Sequence, residues 1–171
     1  MAGRQISKIL DANVYLNGTN YVGKALEFDP PKVSHHTVDF QTLASIGPVE
    51  LTDGVEKMEC KVKWAAYIKG AFDNIDPFTS VMLTFIVAQQ VWQDGSVVGY
   101  EQVAYTVRAL CKEIAPATTK KGEGMPDMSF AVNYCKCEID GETVYEIDLL
   151  NNIWNTAQGD VYAEVRSILG M

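Results

Sequence analysis

The strongest constraint in this sequence is a pair of long segments folded about a two-residue turn signal. Ser80 to Trp92 is rich in Val, Ile, Phe and Thr, Asp94-Gly95 interrupts it, and Tyr100 to Ile114 runs back. Branched and aromatic side chains suit a pleated surface, and Asp-Gly readily takes the left-handed backbone of a tight hairpin. A long antiparallel hairpin is therefore predicted, and the rest of the chain has to pair with it or pack on it.

Further strands are predicted on both sides. Asn13 to Phe28 reads as a hairpin about Asn17-Gly18. From Val49 to Trp64 the chain alternates, with Met58, Cys60, Val62 and Trp64 on one face and Lys57, Glu59, Lys61 and Lys63 on the other, the pattern of one half-buried strand. Ser129 to Ile139 and Glu142 to Asp148 pair about Asp140-Gly141. A helix is predicted over Ala65 to Asn74, and a short C-terminal one over Asp160 to Leu169, capped by Asp160 and stopped at Gly170. The composite is an antiparallel β-barrel or sandwich carrying a mid-chain helix and a short C-terminal helix.

One domain is expected over 1–171, because a chain of 171 residues buries roughly 70% of its unfolded surface. The net charge of −8 disfavours tight binding of phosphate backbones. No stretch reaches the ~20 apolar residues of a membrane span, so no stable membrane association is expected, and the chain reads as cytoplasmic. Cys60, Cys111, Cys135 and Cys137 lack the spacing of a disulfide scaffold or a zinc site and read as small buried hydrophobes.

Catalytic signals are sparse. His35 and His36 are the only histidines, and as neighbours in an extended segment they point in opposite directions. Glu146 and Asp148 share a strand face and, with Glu123 and Glu142, offer carboxylates for acid–base work, although a solvated polar face explains them equally well. Gly122 and Gly124 do not match a phosphate-binding loop and read as a turn. Neither a metal nor a cofactor is expected.

Two features point towards assembly. The segment from about 29 to 48 has lost periodicity, beginning at Pro30-Pro31 and carrying Val33, Val38, Phe40, Leu43 and Ile46. Those apolar side chains are too few to offset the entropy of ordering so long a loop in a monomer, which leaves two readings, a segment ordered by a neighbour or a plainly flexible loop, and the numbers fit the first. Long alternating strands in an open sheet also leave edges that must be covered or used. A small-ligand-binding β-barrel is the alternative from another class.

Several motifs carry a resemblance. Asn13-Val14-Tyr15-Leu16-Asn17-Gly18, Arg108-Ala109-Leu110-Cys111-Lys112-Glu113-Ile114, Val132-Asn133-Tyr134, Glu138-Ile139-Asp140-Gly141, Val144-Tyr145-Glu146-Ile147-Asp148, Asn151 and the final Leu169-Gly170 occur in collinear order. In these the chain resembles the major tail tube proteins of contractile-tailed phages and R-type bacteriocins. It departs at Ala109, where the family has glycine, at Gln158-Gly159-Asp160, and at the terminal Met171.

The resemblance implies a non-enzymatic β-barrel subunit of hexameric rings, whose inner strands join around a lumen. Rings would stack into a tube inside a sheath, with tail sheath, baseplate and tail-terminator proteins as partners and DNA passing without specific binding. Assembly in the host cytoplasm and residence in the virion tail follow, or membership of a headless bacteriocin-like or secretion-type contractile particle. Val38, Phe40, Leu43 and Ile46 become the candidate inter-ring contact, and Lys57, Glu59, Lys61 and Lys63 a candidate lumen- or interface-facing strand.

Overall fold

A computed structural model describes residues 5–117 and 125–171. The expected turn through Gly122, Glu123 and Gly124 lies outside the described residues. In chain order the elements are β1 (Gln5–Leu16), β2 (Thr19–Asn20), β3 (Ala25–Asp29), β4 (His35–Phe40), β5 (Val49–Val55), β6 (Met58–Trp64), α1 (Lys69–Asp73), β7 (Val81–Gln93), β8 (Ser96–Ala115), β9 (Asp127–Ile139), β10 (Glu142–Asp148), β11 (Ile153–Thr156), β12 (Gly159–Asp160) and α2 (Ala163–Leu169).

The long hairpin is β7 and β8, paired from Gln93↔Ser96 to Val81↔Ala109. It forms the middle of a ten-stranded sheet running β12-β11-β10-β9-β8-β7-β1-β2, with β6 joined to β9 and β3 to β6. Strand β9 serves two partners along one edge: Asp127 to Val132 pairs with β6, and Tyr134 to Ile139 with β10. That division bends the sheet, so that β6 and β3 fold over the inner face of β1 and β7. Phe28 of β3 stacks on Phe85 of β7 at 4.5 Å, and Tyr21 meets Trp64 edge-on at 5.3 Å. Trp64, Phe85, Phe130, Leu83 and Met58 are fully buried between the layers. Among the described residues no ladder joins β3 to β1, so the curled sheet stays open and is sandwich-like rather than a closed barrel.

Three tight turns follow directly from local chemistry. Asn17-Gly18, Asp94-Gly95 and Asp140-Gly141 each hold both residues at positive φ, between 48° and 83°, the type I′ geometry whose twist matches that of the strands. Gly170 also stops α2 as expected, at φ 73°.

Other expectations change. The Asn17-Gly18 turn joins β1 only to the two-residue β2, while Ala25–Asp29 pairs with β6, so Asn13 to Phe28 is not one hairpin. The alternating run from Val49 to Trp64 breaks at Glu56-Lys57, because its first half pairs with β4 and its second with the core sheet. Segment 29–48 is not irregular throughout: His35–Phe40 is a strand, and Pro30-Pro31 disrupt only its approach. The mid-chain helix covers only Lys69–Asp73. Asp160 does not cap α2; its carboxylate accepts from the Tyr162 N–H at 3.0 Å and pairs with Arg166.

Candidate assembly surfaces

Strands β4 and β5 form a two-stranded sheet of their own, an arm outside the main sheet. At its base the Glu56 N–H donates to the Ser34 carbonyl at 2.8 Å. The His35 ring stacks on Trp154 of β11 at 5.0 Å, and Trp154 stacks on Tyr162 at 6.1 Å. Midway, Thr37 Oγ1 donates to Glu50 Oε1 at 2.6 Å. Every residue of β4 is exposed, Val38 and Phe40 included. At the tip Leu43 is 99% exposed and Ile46 fully so. All four candidate contact residues thus share one arm, which ladder bonds and an aromatic stack at its root hold out from the body.

The candidate strand of alternating charge behaves differently. Lys57 falls in the link between β5 and β6, while Glu59, Lys61 and Lys63 lie on the β6 face opposite the buried Met58, Cys60 and Val62. Glu59 accepts from Lys112 of β8 at 2.6 Å, and Lys63 donates to Glu27 of β3 at 3.1 Å. The Lys112 ammonium holds the Glu59 carboxyl below the usual range, and Glu27 raises Lys63. Exposed pairs of this kind are screened by solvent and fix local charge more than they fix the fold.

Two of the candidate carboxylates, Glu146 and Asp148, have structural partners. Glu146 accepts from Tyr134 Oη at 2.8 Å and Asn155 Nδ2 at 3.0 Å. Burial, then the hydrogen bond to Glu146, push the Tyr134 hydroxyl up to about 12. Asp148, buried at the end of β10, accepts from the N–H groups of Leu150 and Asn151 at 3.0 and 3.1 Å and from Asn151 Nδ2 at 2.7 Å. Cys60, Cys135 and Cys137 are buried and Cys111 half-buried; burial raises all four thiols, Cys135 to about 12.

Two apolar surfaces escaped the sequence reading. The first half of β1 exposes Ile6, Ile9 and Leu10. Among the described residues its edge away from β7 has no partner until Tyr15, where it meets β2. Ile6 and Ile9 fall on opposite faces of β1, and the register then shifts between Ile9 and Asp11, so no two-residue apolar period marks this half of the strand. On α2 no residue is buried, and Val165, Ile168 and Leu169 face outwards. No helix among the described residues is long and apolar enough to cross a membrane.

None of the curated proteins matches the sequence. The fold is similar to that of a chain in a cryo-EM structure of an extracellular contractile injection system, a sheath–tube complex in the extended state. The likeness has a TM-score of 0.53 at 8% identity and covers 74% of this chain and 87% of that one. The profile of the phage tail tube protein FII family matches residues 6–170, nearly the whole chain, and the protein accordingly belongs to that family as a structural subunit of a tail tube.

Proposed function

We propose that this subunit closes into homohexameric rings, and that the rings stack through the β4–β5 arm into a hollow tube inside a contractile sheath. The tube is a conduit through which DNA passes without being gripped. The observation that carries this reading is the arm: a paired, rooted hairpin that presents Val38, Phe40, Leu43 and Ile46 to solvent and contributes no buried residue to its own subunit. Apolar side chains held out in this way belong to an interface. The free edge of β1 suits lateral pairing within a ring, and the net charge of −8 keeps phosphates from adhering to the lumen. The surface run of Glu59, Lys61 and Lys63 is a candidate for the lumen or a subunit interface. Baseplate and terminator proteins close the two ends, and assembly takes place in the host cytoplasm. We assign no catalytic role, since Glu146, Asp148 and His35 are engaged in structural contacts.

Electron microscopy of the purified protein tests the proposal: sixfold rings or stacked tubes are expected, and a persistent monomer at high concentration would overturn it. A second reading, the tube of a headless contractile particle, is favoured by the likeness to an injection system. Nucleic acid packaged with native particles, or its absence, separates the two.

A further inference from the structure

The long strands outrun their cover. β7 has 13 residues and β8 has 20, whereas β3 has 5 and β6 has 7, so part of the sheet's inner face is left uncovered. There, between the unpaired edges of β1 and β3, lies a cleft of about 430 Å³. Ile9 and Ala12 of β1 line one side, Leu26 and Phe28 of β3 the other, with Val87 and Tyr105 contributed by β7 and β8. Its one charged lining residue, Glu27, is paired with Lys63, and the Gln89 amide donates to Glu101 at 2.6 Å. The cleft therefore suits an uncharged, aliphatic occupant, because a charged one would be buried without a partner.

The arm tip is such an occupant. Gln41 to Pro48 contains no charged residue in a chain that is 21% charged, and its two large apolar side chains, Leu43 and Ile46, stand fully exposed among the described residues. Between them Ala44 is held at φ 68°, a left-handed conformation that an L-residue seldom adopts and that fixes how the two side chains are presented. A chain cannot fill its own cleft. Pro30, at the approach to the arm, already lines it, whereas the six residues of β4 carry the tip about 20 Å from the root at ~3.3 Å per residue. The stack of His35 on Trp154 holds that root in place.

We propose that the arm tip of one copy seats Leu43 and Ile46 in the β1–β3 cleft of the next copy. The inference rests on the tube reading of the arm and names the surface that receives it. Because knob and hole are different patches of one chain, the contact is heterologous and propagates without a built-in end, as a stacked tube requires. It buries no unpaired charge, so the acidity of the subunits does not oppose it locally.

The test uses the full chain with Cys111→Ser, to remove the one native thiol that is not buried. Leu43→Cys and Leu26→Cys are combined and treated with a short bis-maleimide. Assembled tubes should yield a covalent ladder, and dilute monomer none. Ile168→Cys in place of Leu43→Cys tests the exposed face of α2 as the rival occupant; a ladder from that pair, or none from the first pair in tubes that do form, overturns the proposal. Leu26→Asp and Ala12→Trp sit at exposed positions and should melt like the parent. Leu26→Asp should raise the concentration needed for stacking by about 100-fold, the scale of losing one buried aliphatic side chain, and Ala12→Trp, which fills the cleft, should raise it as well. If Leu43→Asp abolishes tubes while Leu26→Asp leaves them unchanged, the arm stacks rings through another surface and the cleft is not its receptor. If Leu43→Asp itself leaves tubes unchanged, the arm reading fails first.

Discussion

Replacing Gln41 to Pro48 by Asn-Gly separates folding from assembly. Phe40 and Val49 are already paired across the arm, so a two-residue type I′ turn closes the hairpin on an existing rung. The excised tip contains no buried residue, hence no core contact is lost. Shortening the loop from eight residues to two is two halvings at about 0.6 kcal/mol each, a gain of about 1.2 kcal/mol in closure entropy. For a chain of this length that corresponds to a melting temperature unchanged or raised by about 2–5 °C. Assembly should respond the other way. Leu43 and Ile46 together forfeit about 3–6 kcal/mol of apolar burial per arm, a weakening of about 10²- to 10⁴-fold for each contact, repeated around a ring. Calorimetry and negative-stain microscopy on the same sample decide the matter. A variant that melts as expected and still forms tubes of parental length would refute the reasoning that the exposed tip is the stacking contact.

Rings and tubes should form more readily as salt rises, since the Debye length falls from ~30 Å at 0.01 M to ~8 Å at 0.15 M and relieves repulsion between acidic subunits; light scattering across a salt series checks this, with DNA binding absent throughout. A maleimide should leave Cys60, Cys135 and Cys137 unlabelled in the native protein and modify all four thiols in denaturant, as mass spectrometry would show. Asp148→Ala removes the acceptor of three hydrogen bonds at the β10 turn and should cost about 2–4 kcal/mol, since bonds to a charged group contribute about 1.5–3 each and water recovers part. The melting temperature should then fall by about 4–16 °C, and a fall under 2 °C would show that the carboxylate is dispensable.

Local chemistry by itself determined the tight turns and the fold class. Asn17-Gly18, Asp94-Gly95 and Asp140-Gly141 dictate their turns because few other pairs tolerate two successive positive φ values. The alternation of Met58, Cys60, Val62 and Trp64 identified a core-facing strand for the same local reason. The exposed apolar residues of the arm were also legible, although as a loop: with β4 exposed on both faces, no buried side exists to impress a two-residue period on the sequence. Only the tertiary structure decided which strand found which partner. Val49 to Val55 and Met58 to Trp64 carry one continuous pattern, yet they diverge into arm and core because β4 and β9 offer separate edges. Strand β3 bypassed β1 for β6, and that choice opened the cleft. Pairing partners are set by long-range packing and the bending of the sheet around β9, terms that no window of neighbouring residues contains.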